Sequence, residues 1–364
     1  MKINVTQSSL PTFEEYCTEI KSIWENHWLT NNGEKVCELE AKLKKYKEVN
    51  NIVLYTNGHL ALEATISAFQ FPIGSEIITT PFTFVSTSNA IVRTGMVPVF
   101  CDIEPDNLTL DPKKIEALIT SKTVAILPVH VYGNMCDVEE IERIAKKHNL
   151  KVIYDSAHAF GVKFKGKNSA TFGDISMFSF HATKVFSTGE GGALALNDWK
   201  LVHNAELIKN FGIKIGADPE KIGFNGKMSE LSAALGICNL RRVDEDIKKR
   251  KVLTQRYREN LSDIKGIETL EEQEGVTHNY SYMSIFVKRL HKSRGMVYNR
   301  LMSEGIFPRK YFFPLITDLE CYREYKDLEL PIAREKAQSV LALPIYPELS
   351  IDMVDKICSF IKDV

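Results

Sequence analysis

Asp155, Ser179 and Lys184 fall within about 30 residues of one another, each at or just beyond the end of an apolar run. Asp155 ends KVIYD (151–155), at the carboxyl edge where open α/β sheets place their ligands. A carboxylate there either caps the following turn or pairs with a protonated ring nitrogen. His158, three residues on, is a ligand contact or a plain loop histidine. Ser179 lies near the end of DISMFSF (174–180) and offers a hydroxyl to a phosphate. An isolated lysine is ordinarily a surface residue. Lys184, however, stands between that buried run and the apolar strand GALALN (192–197), reached through the turn GEGG. Desolvation between two core strands lowers an amine's pKa and favours a carbonyl-reactive free base. Upstream, Tyr55-Thr56-Asn57-Gly58-His59 follows one strand and opens a helix. That arrangement aims backbone N–H groups at an anion, or is simply a βα loop with its N-cap.

The elements that must position these groups read from the apolar spacing. Strands are expected at 51–55, 76–80, 97–102, 123–129, 151–155, 174–180 and 192–197, with helices at 59–69, 85–95, 111–120 and 138–148. Buried strands separated by helices indicate an α/β domain with a mostly parallel sheet. An amphipathic helix, FEEYCTEIKSIWENHWL, precedes them and leads to TNNGE. The stretch 229–264 is helical but too long to run unbroken, and suits a spine. The last hundred residues mix strand (YSYMSIFV) and helix (SRGMVYNRLMSEG, IDMVDKICSFIKDV), a smaller α+β domain. The expected division is 1–240 for the large domain and 241–364 for the spine helix and small domain.

The totals exclude several classes of function. A chain that is 44% hydrophobic and 26% charged builds a full core. Its net charge of -1 gives no global field favouring nucleic acid or an anionic membrane, so any anionic ligand needs a local site. Seven scattered cysteines without CxxC or a Cys/His cluster indicate reduced thiols, no metal and a cytoplasmic protein. No apolar run approaches a membrane span, and the N-terminus has no signal-peptide core. The GxGxxG and GxxxxGK[ST] fingerprints are missing, which removes the main support for dinucleotide or P-loop chemistry.

A carboxylate for a pyridinium nitrogen, a hydroxyl for a phosphate and an amine for a Schiff base are the groups that grip pyridoxal phosphate. Their order, D-x-A-H followed by S-F-H-x-T-K-x-x-x-x-G-E-G-G-A, resembles the DegT-type (DegT/DnrJ/StrS) nucleotide-sugar aminotransferases. The resemblance also takes in WLTNNGEKVCELE (28–40), TNGHLALEA (56–64), TPFTFVSTSNAIVRTGMVPVFCDIE (80–104), LPVHVYGN (127–134), GFNGKMSELSAALG (223–236), FPRKYFFPL (307–315) and LPIYPELS (343–350). It implies a PLP fold type I (aspartate aminotransferase-like) large domain with a smaller C-terminal domain. It also implies a pyridoxal 5'-phosphate cofactor that passes through pyridoxamine 5'-phosphate, and a homodimer with shared active sites.

Carried onto matching positions, the family pattern makes Lys184 the Schiff-base lysine and proton shuttle, and Asp155 the partner of the ring nitrogen. Phe84 falls where the family stacks an aromatic on the ring; the alternative is core packing. His158 matches a position near the ring hydroxyl. Gly58 and His59 would offer backbone N–H groups to the phosphate, joined by Ser179 and, from the neighbouring subunit, Asn225. Members often have Thr at the position of His59 and Arg at that of Lys227. Lys227, Arg309, Lys310, Tyr311 and Tyr280 fall in segments bordering the sugar-nucleotide site. An arginine near a pyrophosphate and aromatics near a base are physically sensible.

The implied reaction moves an amino group from L-glutamate to a nucleotide-diphosphate keto-sugar. S-F-H-x-x-K with G-E-G-G looks more like members acting at carbon 4 than those acting at carbon 3. The expectation is dTDP-4-keto-6-deoxyglucose converted to dTDP-4-amino-4,6-dideoxyglucose, for O-antigen or other surface glycans, with a UDP-linked substrate as the alternative. Lys184 argues against the related 3-dehydratases, in which histidine replaces it. The intact Asp155/Ser179/Lys184 set argues against a regulatory relative.

Overall fold

The computed structural model describes residues 2–214, 217–288 and 293–364. Seven strands form the central sheet, in the order Asn51–Tyr55, Gly192–Leu196, Ile175–Ser179, Lys151–Asp155, Thr123–Leu127, Glu76–Thr79, Val97–Phe100. All pairings are parallel except those of Gly192–Leu196, which runs antiparallel to both neighbours. The mostly parallel sheet expected from the alternation is therefore present, with one reversed strand. The reversed strand is reached from Ile175–Ser179 through residues 180–191, and lies between that strand and Asn51–Tyr55.

The inner strands are buried nearly end to end, as a sheet covered on both faces requires, while the edge strand Val97–Phe100 is half-buried. One face packs under Gly58–Ala68, Ser86–Arg93 and Trp199–Ile208, with Leu62, Ile66, Ile77, Leu127 and Leu194 in that core. The helices begin where side chains cap them: Asn57 Oδ1 accepts from Leu60 N at 2.8 Å, and Asp137 accepts from Glu140 N at 3.0 Å. The 111–120 stretch forms only a short helix, Pro112–Ile115, tightening into a 3₁₀ turn over Glu116–Leu118.

Two helices that the apolar spacing does not announce are Glu34–Lys47 and Trp199–Ile208. The first is docked by the buried Glu230 carboxylate, which accepts from Gly33 N at 3.0 Å and Lys35 N at 2.6 Å. That contact explains the WLTNNGE segment as a structural turn. The 229–264 stretch breaks at Arg241–Arg242 into Glu230–Leu240 and Val243–Leu261. Beyond it, Ile267–Thr269, Met283–Val287 and Val340–Leu343 make an antiparallel sheet under Val243–Leu261, Arg294–Ser303 and Ile351–Lys362. The Ile3–Asn4 strand pairs in parallel with Ile306–Phe307, so the beginning of the chain lies against this C-terminal unit. Among the described residues no helix is long and apolar enough to cross a membrane, and no three metal-ligating side chains cluster.

Candidate active site

Sheet register brings the site together. Gly192 pairs with Tyr55 on one side and Ser179 on the other, while Asp155 pairs with Met177. The ends of three parallel strands and the start of the reversed one thus share an edge. Glycine is required there by contact: a Cβ on Gly192 would lie 2.7 Å from Gly58 N and Asn57 C. A Cβ on Gly58 would lie 2.9 Å from that of Ser179. The Asn57–Gly58 turn therefore packs backbone-first against Ser179. The N–H groups of Gly58 and His59 precede the first intrahelical acceptor, so the helix start presents donors and a positive dipole end beside a hydroxyl.

Lys184 sits on the excursion between Ser179 and Gly192. Phe180 N donates to Gly191 O at 2.8 Å, and Thr188 N donates to Phe180 O at 2.9 Å, closing its base. The loop is anchored by aromatic packing: Phe186 stacks on Phe160 at 4.3 Å and meets Phe180 edge-on at 4.8 Å. Half-buried Lys184 lines a narrow cavity with Ala157, His158, Thr183 and Tyr282. Burial pushes its amine down to about 8, against the pull of the Asp155 carboxylate. About a tenth of the amine is thus free base at pH 7, far more than for an ordinary lysine.

Asp155 is 4% exposed. Burial raises its pKa, opposed by the Ala157 N–H, the Thr87 hydroxyl and the charge of Lys184. The two donors lie on different oxygens: Thr87 Oγ1 donates to Oδ2 at 2.8 Å, and Ala157 N to Oδ1 at 3.1 Å. His158 is buried and held well below its usual pKa, by burial first and then by Lys184. Its Nδ1 accepts from Tyr132 N at 3.1 Å, which leaves the proton on Nε2. Phe84 is 58% exposed, which excludes the core-packing alternative and presents a free ring face three residues before Thr87.

The remaining expected residues are dispersed. The His59 side chain is tied to Ser86 Oγ at 2.8 Å and Glu63 Oε1 at 2.9 Å, so only its backbone faces the cradle. Asn225 is exposed and bridges Asn210, while the next residue, Gly226, accepts from Thr56 N at 2.7 Å. Lys227 Nζ donates to Asn210 Oδ1 at 2.8 Å and lies over Phe211. Tyr311 joins the site neighbourhood, since its carbonyl accepts from the Tyr132 hydroxyl and its ring meets Tyr282. Arg309 is exposed beside it, backbone-paired with Ala342. Lys310 instead lies over Tyr298, and Tyr280 donates to Glu272 at 3.2 Å; neither side chain joins the Lys184 cavity.

Thr87 and Tyr132 are the functional positions that the sequence reading missed. Both support a site residue rather than forming the site. Neither carries a spacing signal, because the contact each makes is 68 or 26 residues distant along the chain.

A family model described as the DegT/DnrJ/EryC1/StrS aminotransferase family matches residues 12–362. A dTDP-4-amino-4,6-dideoxy-D-glucose transaminase of Shigella dysenteriae is 42% identical over 364 residues, covering 100% of this chain and 99% of that protein. The protein of the same name from Escherichia coli is 43% identical over 360 residues, covering 98% and 96%. Among solved structures, DesI in the presence of its TDP-sugar product superimposes with a TM-score of 0.95 at 29% identity, covering 99% of this chain and 92% of that one.

Proposed function

The chain belongs to the DegT/DnrJ/EryC1/StrS aminotransferase family, and we propose that it transfers an amino group from L-glutamate to carbon 4 of dTDP-4-keto-6-deoxyglucose. The observation that carries the chemistry is the pair at the sheet edge: a buried carboxylate anchored on both oxygens, facing an amine depressed to about 8. The substrate assignment is supported by the two transaminases that match over nearly their whole lengths.

The residues fit pyridoxal phosphate. The Gly58–Ser179 cradle, too tight for a side chain, suits a phosphate; Asp155 suits a protonated ring nitrogen; and the exposed Phe84 face suits a flat ring. When bound, this cofactor supplies an electron sink that acidifies the proton on the amine-bearing carbon. Asp155, whose two oxygens accept from Thr87 and Ala157, would pair with the protonated ring nitrogen, the hydrogen bonds offsetting part of the cost of burying its charge. With the cofactor bound, Lys184 Nζ would accept and return the proton, a task for which a pKa near the working pH is suited. His158, neutral with its proton on Nε2, lines the cavity without adding a charge beside the amine.

Two copies complete the site. Exposed Asn225, adjacent to the residue that docks on Thr56, is available to a phosphate across a two-fold interface. The exposed aromatic surface of Phe13, Trp24 and Trp28 supplies apolar area for such a contact. The enzyme works in the cytoplasm, and its amino sugar serves O-antigen or other surface glycan assembly. The test is to supply glutamate with dTDP- or UDP-linked 4-keto-6-deoxy sugars and to identify the product by mass spectrometry and NMR. A dTDP sugar aminated at carbon 4 is expected. Amination at carbon 3, or a deoxy product formed without stoichiometric nitrogen, overturns the assignment.

A further inference from the structure

His181 stands three residues before Lys184, and none of the roles above uses it. All of its polar groups act within the lysine loop. Its carbonyl accepts from Lys184 N at 2.9 Å, closing a turn whose last residue is the lysine. Its Nδ1 lies 2.9 Å from Thr183 Oγ1 and 3.3 Å from Thr183 N, so the exposed ring caps that turn. Its own N–H points at Ser179 Oγ, 3.5 Å away, and its Nε2 faces the Glu190 carboxylate at 3.6 Å.

These contacts determine the state of the ring. A backbone N–H only donates, so the nitrogen it meets, Nδ1, is unprotonated and the proton resides on Nε2, toward Glu190. A side-chain acceptor that takes the N–H two residues on is the device of an Asx turn, here built with a longer side chain. The hydroxyl of Ser179, by accepting from His181 N, keeps its own proton free to donate to a phosphate. In S-F-H-x-T-K…G-E the histidine, threonine and glutamate thereby become one contact set.

We propose that His181 is a positioning residue for Lys184: its ring, keyed by Thr183 and Glu190, holds the turn that aims the amine and orients Ser179. The proposal rests on Lys184 being the cofactor lysine, so its test needs no sugar. Apoprotein is titrated with pyridoxal phosphate by absorbance, the pH midpoint of the bound spectrum is recorded, and apoprotein melting serves as the control. In His181→Ala, cofactor binding weakens about 10-fold, as expected for one net hydrogen-bonding unit, and the spectral midpoint moves. His181→Asn, whose amide oxygen keeps the acceptor, stays within about 3-fold of wild type. Thr183→Val, which leaves the backbone intact, weakens binding about 3-fold and keeps the test alive should the alanine variant not fold. Wild-type affinity and midpoint in His181→Ala, or in Thr183→Val if the former is unfolded, overturn the proposal. So does His181→Asn performing as poorly as His181→Ala at equal melting temperature. Failure of the wild-type protein to take up cofactor would instead defeat the aminotransferase reading.

Discussion

Burial lowers the pKa of the amines of both Lys184 and Lys47, and both approach the same aromatic cluster. Lys184 reaches a cavity beside Asp155, on a loop pinned by Phe180 and Phe186. Lys47, the last residue of the Glu34–Lys47 helix, is fully buried with its Nζ 3.9 Å from the Phe160 ring centroid and 3.4 Å from that of Phe178. Burial drives the Lys47 amine well below its usual pKa. No hydrogen-bond partner meets it among the described residues; only the ring faces and the negative helix end favour its charged form. The half-buried Lys184 amine is lowered to about 8, with Asp155 pulling the other way. Burial alone therefore does not make an amine useful. Access to a cavity, a carboxylate that tunes it and a turn that aims it do.

Removing the two amines is the sharpest way to test that contrast. Lys184→Ala should cost on the order of 10⁴-fold or more in turnover and abolish the lysine-linked cofactor absorbance, measured by steady-state assay and spectrum. Retained turnover in that variant would break the comparison and the mechanism with it. Thr87→Val tests the tuning: the Asp155 carboxyl should rise further, with kcat falling about 10-fold and Thr87→Ser restoring most of it. An unchanged kcat would mean that Ala157 and Lys184 suffice to hold the carboxylate.

Lys47→Met should leave the cofactor spectrum and kcat alone and stabilise the fold by about 1–2 kcal/mol, read as a higher melting temperature. The pH dependence follows with a definite sign. A lysine whose folded pKa is lowered costs stability when both states are protonated, and recovers it as pH rises toward the unfolded value of ~10.4. For Lys184 that recovery begins near pH 8. Apoprotein melting temperature should climb from pH 8 toward 10, and climb less in Lys47→Met. A climb of equal size would show Lys47 to be charged over this range, held by the two rings.

Much of the site was legible because its groups sit at strand ends, where an apolar run followed by Asp, Ser or a glycine turn is visible in the chain. Asp155, Ser179, Gly58 and Lys184 follow from that rule, and the family motifs ordered them. Thr87 was not legible, since its hydroxyl matters only once the Ser86–Arg93 helix is laid across the Asp155 strand end. Lys310 and Tyr280 lie in the expected segments, but their side chains are drawn to Tyr298 and Glu272, which no local pattern announces.

By itself, the amino-acid order determined which groups sit at the strand ends: an amine, a carboxylate and a glycine turn beside a hydroxyl. Tertiary structure decided the electrostatics. Whether a lysine becomes a tuned base or an idle core residue depends on which carboxylate, ring or cavity reaches it through space. The reversal of Gly192–Leu196 and the turn keyed by His181 decide that for Lys184, because desolvation and Coulomb forces act over distances in the fold and not along the chain.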